Sequence, residues 1–187
     1  MMTWEELENS CKSCDKCPLG KTKTNTVFGV GNKNASLMFV GEAPGESEDK
    51  SGIPFVGRAG KLFDKYLLAL GIDRNEVYIA NILKCRPPNN RDPLPEEQDM
   101  CMSYLREQVR LIKPKMIVCL GRISAMKLIK PDFKITKEHG IFFKKGAFEI
   151  VAVYHPSLLL RDPSKREEMF TDMKVIKQKL EGMKNGN

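Results

Sequence analysis

Three side chains of different chemistry stand at the ends of short apolar runs. Glu42 lies in Gly41-Glu42-Ala43-Pro44-Gly45, directly after Leu37-Met38-Phe39-Val40. Asn81 follows Val77-Tyr78-Ile79-Ala80, and His155 opens His155-Pro156-Ser157 after the run that ends at Tyr154. A carboxylate, an amide and an imidazole are the raw material of acid–base and hydrogen-bonding chemistry. Glycine on both sides of Glu42 permits a tight backbone or a close ligand approach that a side chain would block. Each group also has a plain reading. A Gly-rich turn can hold a Glu by accident, an Asn after a strand is often a turn residue, and a His before Pro can be a packed loop residue.

Cysteine supplies a second constellation. Cys14 and Cys17 have the Cys-x-x-Cys spacing, and Cys85 and Cys101 stand far downstream. Such a pair can bind one tetrahedral centre, and two distant cysteines can complete a four-thiolate set. Zinc and an iron–sulfur centre use the same ligands, so spacing leaves both open. Cys11 is ambiguous as a fifth candidate. Cys119 lies inside an apolar strand and reads as a core residue. With no apolar stretch of the kind a secretory signal needs, the expectation is a cytoplasmic chain, where cysteines favour metals or free thiols over disulfides.

The elements that must position these groups follow from periodicity. Residues 37–40, 77–80, 116–120 and 148–154 are short apolar runs bounded by turn residues, which predicts four buried strands. Residues 58–70, 95–112, 122–129 and a last segment opening at Asp162-Pro163 have helical spacing. Gly71 ends the first of these, and Pro95 suits the first turn of the second. Residues 3–10 predict a short helix capped by Thr3 and Glu6. Residues 20–36 read as loop, with a short strand at Val27-Phe28, and residues 130–147 as loop or edge hairpin. Residues 182–187 are expected to fray. Strands alternating with helices predict an α/β fold, a three-layer α/β/α sandwich around a four-stranded parallel sheet, in one domain spanning residues 1–187. In such sheets ligands bind beyond the carboxyl ends of the strands, and Glu42, Asn81 and His155 all fall there. That shared location argues for a site better than any one loop does.

Composition narrows the partners. The chain has 187 residues, 41% of them hydrophobic and 29% charged, as in an ordinary globular domain with a real core. No apolar run approaches membrane-spanning length. The net charge of +7 suits a polyanion such as nucleic acid, although many basic proteins bind none.

Together these motifs resemble the iron–sulfur uracil-DNA glycosylases, family 4 of the uracil-DNA glycosylase superfamily. The resemblance runs from Cys14 to about Arg161. It rests on Cys14-x-x-Cys17-Pro-Leu, on Gly41-Glu-Ala-Pro-Gly45 with Glu48-Asp49, and on Pro54-Phe55-Val-Gly-Arg58. It continues through Asn81-x-x-x-Cys85-Arg-Pro-Pro, Asn90-Arg-Asp-Pro93 with Cys101 beyond, and His155-Pro-Ser157. The resemblance implies removal of uracil from DNA by hydrolysis, leaving an abasic site and no strand cleavage. It also implies a structural [4Fe–4S] cluster held by Cys14, Cys17, Cys85 and Cys101, which would tie the N-terminal loop to the later segment. Phe55 resembles the aromatic on which a flipped uracil stacks, and Asn81 the residue that reads the pyrimidine edge. His155 resembles the donor to uracil O2 as that oxygen gains charge. Gly41 and Ala43 would contribute main-chain contacts, and Glu48 resembles the residue that crowds the C5 edge against thymine. Glu42 would position or activate water, because Ala43 stands where the family 1 enzymes keep an Asp.

Residues 155–161 look like the loop that enters DNA to hold the base out, with Ser157 and Leu159 among its contacts. The plain reading of Leu158 to Leu160 is the first turn of a core helix. Arg58, Arg86, Arg91 and Arg161 are candidate phosphate contacts. The chain lacks the basic, His-bearing insertion of the relatives that form covalent uracil adducts. It also keeps Glu42 where family 5 enzymes have an apolar residue. The family implies a monomer that releases uracil, with a sliding clamp or downstream repair enzymes as partners, working at the nucleoid of a prokaryotic cell. A non-catalytic nucleic-acid-binding module with a four-cysteine metal site is the competing reading. It accounts for charge and cysteines but not for Glu42, Phe55, Asn81 and His155 together.

Overall fold

The computed structural model describes residues 2–185 of the chain. Its strands are β1 (Val30–Gly31), β2 (Leu37–Gly41), β3 (Tyr78–Asn81), β4 (Met116–Leu120), β5 (Phe142–Lys145) and β6 (Phe148–Val153). They form one sheet in the order β1-β3-β2-β4-β6-β5. The four expected strands are the parallel centre, β3-β2-β4-β6. The sheet is larger than expected, because antiparallel β1 and β5 close its two edges. The edge hairpin expected in residues 130–147 is the β5–β6 pair. The short strand expected at Val27-Phe28 lies slightly later, at Val30–Gly31.

The helices are α1 (Trp4–Lys12), α2 (Leu19–Thr22), α3 (Glu46–Ser51), α4 (Arg58–Ala69), α5 (Pro95–Ile112), α6 (Arg122–Leu128), α7 (Ile135–Glu138), α8 (Pro156–Arg161) and α9 (Arg166–Asn185). Thr3 and Glu6 form the expected capping box on α1. The last helix begins in two pieces. Asp162 caps a 3-10 turn, Pro163–Lys165, that separates α8 from α9. Helix α9 runs through Gly182 to Asn185, and the last two of the residues expected to fray lie outside the described part. Among the described residues no helix is long and apolar enough to cross a membrane.

Alternation along each strand builds two cores. Leu37, Phe39, Val118 and Val151 pack with Phe63 and Leu67 of α4, Leu159 of α8, and Met169, Met173, Ile176 and Leu180 of α9. Met38, Val40, Ile117, Cys119 and Ile150 face the other way, onto Met102 and Leu105 of α5 and Ala125 of α6. This is the expected three-layer arrangement. Cys119 is fully buried in the second core, as its apolar neighbours predict. A third cluster, Leu7, Cys11, Phe28 and Tyr104, pins α1 behind α5.

Candidate active site and cysteine pocket

The parallel strands end side by side, with Gly41 of β2 in register with Asn81 of β3. A cavity of about 390 Å³ opens there, lined by Glu42, Ala43, Glu48, Phe55, Asn81 and His155 among others. The residues that the sequence placed at strand exits do meet. Gly41 is small for a reason: a Cβ there would lie 2.4 Å from Asn81 Oδ1 and 2.6 Å from Phe55 Cζ. The amide and the ring close over the glycine.

Asn81 is 2% exposed, and it lines the cavity with Phe55 and His155. Phe55 is buried with a left-handed backbone (φ 54°), a strained state for a residue with a side chain. Three contacts hold it. The guanidinium of Arg74, paired with Asp64, donates to the Pro54 carbonyl at 2.7 Å. Gly60 of α4 leaves room for the Phe55 carbonyl, which a Cβ would meet at 2.0 Å. Glu48 accepts from the Val56 and Gly57 N–H groups at 3.0 and 2.8 Å.

Glu48 also accepts from the Gly45 N–H at 3.1 Å through its other oxygen. Its carboxylate therefore staples the Gly41–Gly45 loop to the Phe55–Gly57 loop, a role the sequence did not reveal. Glu48→Ala leaves three N–H groups without an acceptor. Each part-buried orphan costs about 1 kcal/mol or more, so we expect a melting temperature lower by several degrees and a KM for substrate raised more than kcat falls. Thermal denaturation alongside steady-state kinetics checks both.

His155 caps α8. Its Nδ1 accepts from the Ser157 N–H at 3.0 Å and lies 2.7 Å from Ser157 Oγ. Burial, with Arg161 adding to it and Glu48 opposing, pushes the imidazole pKa down to about 4. The ring is neutral near pH 7, and because Nδ1 is an acceptor, the proton sits on Nε2. The ring faces Phe55 at 5.8 Å between centroids. Glu42 is held differently. Burial, with the charge of Asp92 adding to it and Arg122 opposing, raises its pKa to about 7. A carboxyl poised at neutrality in a cavity is suited to proton transfer.

The DNA-side candidates divide. Arg58 and Arg161 are exposed, Arg86 is half-buried with Nε donating to Asn90 at 2.7 Å, and Ser157 lines the cavity. Arg91 also lines the cavity, and its guanidinium forms a two-pronged pair at 2.9 and 2.6 Å with the buried carboxylate of Glu97. Leu159 corrects the expectation for the 155–161 loop. It is fully buried in the first core, and withdrawing it would cost about 2–3 kcal/mol of burial. Leu158 and Leu160 remain half-exposed on the same turn. His139, without nameable partners in sequence, lies 2.6 Å from Asp172 and 3.2 Å from Glu168 through its two ring nitrogens.

The cysteines gather apart from the cavity. Cys14 and Cys17 precede α2, Cys85 follows β3, Cys101 belongs to α5, and all four line one apolar recess with Leu19, Leu83 and Tyr104. Cys11 lines it too, as a fully buried fifth sulfur. The Lys84 N–H donates to Cys101 Sγ at 3.3 Å. Burial pushes the Cys85 thiol up to about 12 and raises Cys101 as well. Among the described residues no three side chains converge on one point as the ligands of a single ion do. An all-sulfur donor set around a shared recess is nonetheless soft-metal chemistry.

Comparison with known proteins agrees with this geometry. A family model described as the uracil DNA glycosylase superfamily matches residues 28–180. The chain belongs to that superfamily. It is 46% identical to a type-4 uracil-DNA glycosylase of Archaeoglobus fulgidus, over 94% of this chain and 92% of that one. It is 45% identical to the type-4 uracil-DNA glycosylase of Thermotoga maritima, over 88% of each chain. A type-5 uracil-DNA glycosylase of Pyrobaculum aerophilum is more distant, 29% identical over 83% of each chain. The superfamily member described here is of the type-4 branch. Both the strand-exit residues and the cysteines Cys85 and Cys101 fall within the matched span, whereas Cys14 and Cys17 precede it.

Proposed function

We propose that the chain is a monofunctional uracil-DNA glycosylase, which hydrolyses the N-glycosidic bond of a flipped-out deoxyuridine and releases uracil. The observation that carries this reading is the trio on one cavity: the Asn81 amide, a neutral His155 with its proton on Nε2, and the Phe55 ring. The extruded ring stacks on Phe55. The Asn81 amide supplies both a donor and an acceptor, matching uracil O4 and N3–H, and cytosine presents the opposite pattern at that edge. As the C1′–N1 bond breaks, its electrons pass into the pyrimidine and charge builds on O2. The His155 Nε2–H faces that charge, and one such preorganised donor is worth about 3 kcal/mol in comparable sites. Glu42 opposes the positive charge on the sugar and accepts the proton of the water that attacks C1′. Gly41 and Ala43 form the cavity floor, and Glu48 acts through the two loops it joins.

Cys14, Cys17, Cys85 and Cys101 fit a [4Fe–4S] cluster by donor chemistry and by their shared recess. When bound, the cluster would serve as a covalent tie between the N-terminal loop, the β3 exit and α5. On the DNA side, Arg58, Arg86 and Arg161 would meet phosphates and Ser157 would support the loop, with Leu158 and Leu160 as the apolar wedge.

The test is incubation with a uracil-containing oligonucleotide followed by alkali. Cleavage at uracil and nowhere else is expected, and no cleavage by iron-loaded protein overturns the reading. Salt-sensitive binding without base release would favour a non-catalytic module. Asn81→Ala should cut kcat/KM by about 10²-fold or more, since a polar site that loses its partner loses discrimination as well as rate. Folding should persist, as judged by an unchanged melting profile. Full activity in that variant would remove Asn81 from the pocket.

A further inference from the structure

The chain that leaves β3 turns back along the cavity through a 3-10 turn, Pro88–Asn90, in which Asn89 and Asn90 are both left-handed (φ 53°). Asn tolerates that state better than most residues, and neighbouring side chains hold it here. Arg86 Nε donates to Asn90 Oδ1 at 2.7 Å, and Arg122 donates to the Asp92 carboxylate at 3.0 Å. Between these two ties Arg91 lines the cavity, beside Pro87 and Asn90. Its Nη1 and Nη2 donate to the two oxygens of Glu97 at 2.9 and 2.6 Å, and Nη1 donates to the Asp92 carbonyl at 3.1 Å. Glu97 is 3% exposed and also accepts from the Leu94 N–H at 2.9 Å, at the start of α5. The Arg91 guanidinium holds that carboxyl below the usual carboxylate range, so the pair is ionised near pH 7. These three bonds take three of the five guanidinium donors. The other two, on Nε and Nη2, lie along one edge of the planar fork, and the side chain is 37% exposed.

We propose that Arg91 binds a backbone phosphate flanking the flipped deoxyuridine, and that Glu97 is the positioning residue that aims it. The inference rests on the glycosylase reading above. A guanidinium edge with two parallel donors matches two oxygens of one phosphate. Flipping a nucleotide about its backbone brings its own flanking phosphates to the mouth of the cavity that takes the base. An arginine free to move would lose its rotamer freedom on meeting that phosphate. Glu97 and the Asp92 carbonyl have removed this freedom beforehand. The Arg91–Glu97 pair is neutral as a whole, so what it offers the DNA is a directed fork rather than net charge. A pair that served only to cap α5 would need no more than the Glu97 bond to Leu94, and no place on the cavity wall.

The experiment measures kcat/KM for uracil oligonucleotides that carry one neutral methylphosphonate, at either phosphate flanking the deoxyuridine, beside the ordinary substrate. The proteins are the parent, Arg91→Gln/Glu97→Gln and Glu97→Gln. In the parent, one of the two replacements should lower kcat/KM by about 10–10²-fold, the loss of a charge-assisted contact. The double variant keeps the net charge of the pair. It should lose about as much on the ordinary substrate and nothing further on that methylphosphonate. Glu97→Gln keeps an acceptor for the Leu94 N–H, and it should lose part of the rate and part of the discrimination between the two substrates. A Glu97 that only capped α5 would leave that discrimination at the parental value, which overturns its positioning role. Losses that multiply in the double variant, or a parent indifferent to both methylphosphonates, overturn the phosphate contact. If the double variant does not fold, Arg91→Lys, which keeps a cation on Glu97 but not the fork, is read in its place and should lose the same discrimination. A parent that releases no uracil from the ordinary substrate would instead overturn the glycosylase reading itself.

Discussion

Replacing Glu42 by Gln is expected to slow uracil excision by about 10²–10³-fold while making the protein more stable. Both effects come from the same burial. In the folded chain the carboxyl titrates near 7, raised from 4.5 mainly by desolvation. The native state therefore holds this proton more tightly than the unfolded chain does. Between pH 4.5 and 7 the unfolded state releases it first, so stability falls as pH rises through that window. Below the window the cost is absent, and above it the cost is complete. Gln carries no charge and escapes it. Allowing for partial solvent access, the gain is on the order of 1–2 kcal/mol at pH 8 and near zero at pH 4. Thermal melts of both proteins across that range should diverge as pH increases. The activity profile supplies an independent readout. The parent's kcat/KM should fall below pH 7 as Glu42 takes up its proton, and this limb should vanish in Glu42→Gln. His155, titrating near 4, limits only at much lower pH. A variant that kept the limb near 7 would place the base elsewhere.

The features legible in the sequence were those set by position along a strand. Leu37 to Val40 end at Gly41, and any residue following such a run in a parallel sheet faces the ligand crevice. Asn81 and His155 were found by that rule, and the structure brings both to the Glu42 cavity. The four central strands and helices α4 and α5 were visible because burial on both faces, or on one stripe, leaves a periodic trace. What remained hidden depended on partners distant in sequence or on short elements. Helix α3 is six residues long and begins at a glycine with no side-chain cap. Its signal was Glu48, three residues beyond Gly45, and that carboxylate serves three backbone groups at once. Leu159 could not be separated from a DNA wedge, because an apolar turn looks the same whether it meets a core or a base step. Arg91 carries the charge of a phosphate contact, and only the fold shows that it also pairs with Glu97. Asp49, only 5% exposed, accepts from the Thr24 and Asn25 N–H groups and so ties the cysteine-bearing N-terminal segment to α3. No local pattern announces such a clamp.

Gly41→Ala is the change of a single methyl group with the largest expected consequence at the cavity. Position 41 is fully enclosed at the end of β2, beside Asn81 in register. An added Cβ would meet the Asn81 amide oxygen at 2.4 Å and the Phe55 ring at 2.6 and 2.9 Å, below any normal contact. Neither neighbour can step aside freely. Phe55 is fixed by its left-handed backbone, by the Arg74 grip on Pro54 and by packing on Phe63 at 5.7 Å. The Asn81 amide can turn only by leaving the orientation proposed to read the pyrimidine edge. Overpacking of this kind costs about 1–3 kcal/mol, which a folded domain survives. Displacing a reacting or binding group by about 1 Å costs on the order of 10²-fold in rate, and here both groups of the proposed pocket, the Phe55 ring and the Asn81 amide, move together. Single-turnover excision should therefore fall by about 10³-fold or more, while circular dichroism and iron content stay at parental values. The cysteine recess lies apart from the cavity and shares no part of this wall, so iron retention separates damage at the pocket from loss of the fold. Retained activity would mean that Phe55 and Asn81 relax around the methyl, and that the close approach over Gly41 is not what orients the base.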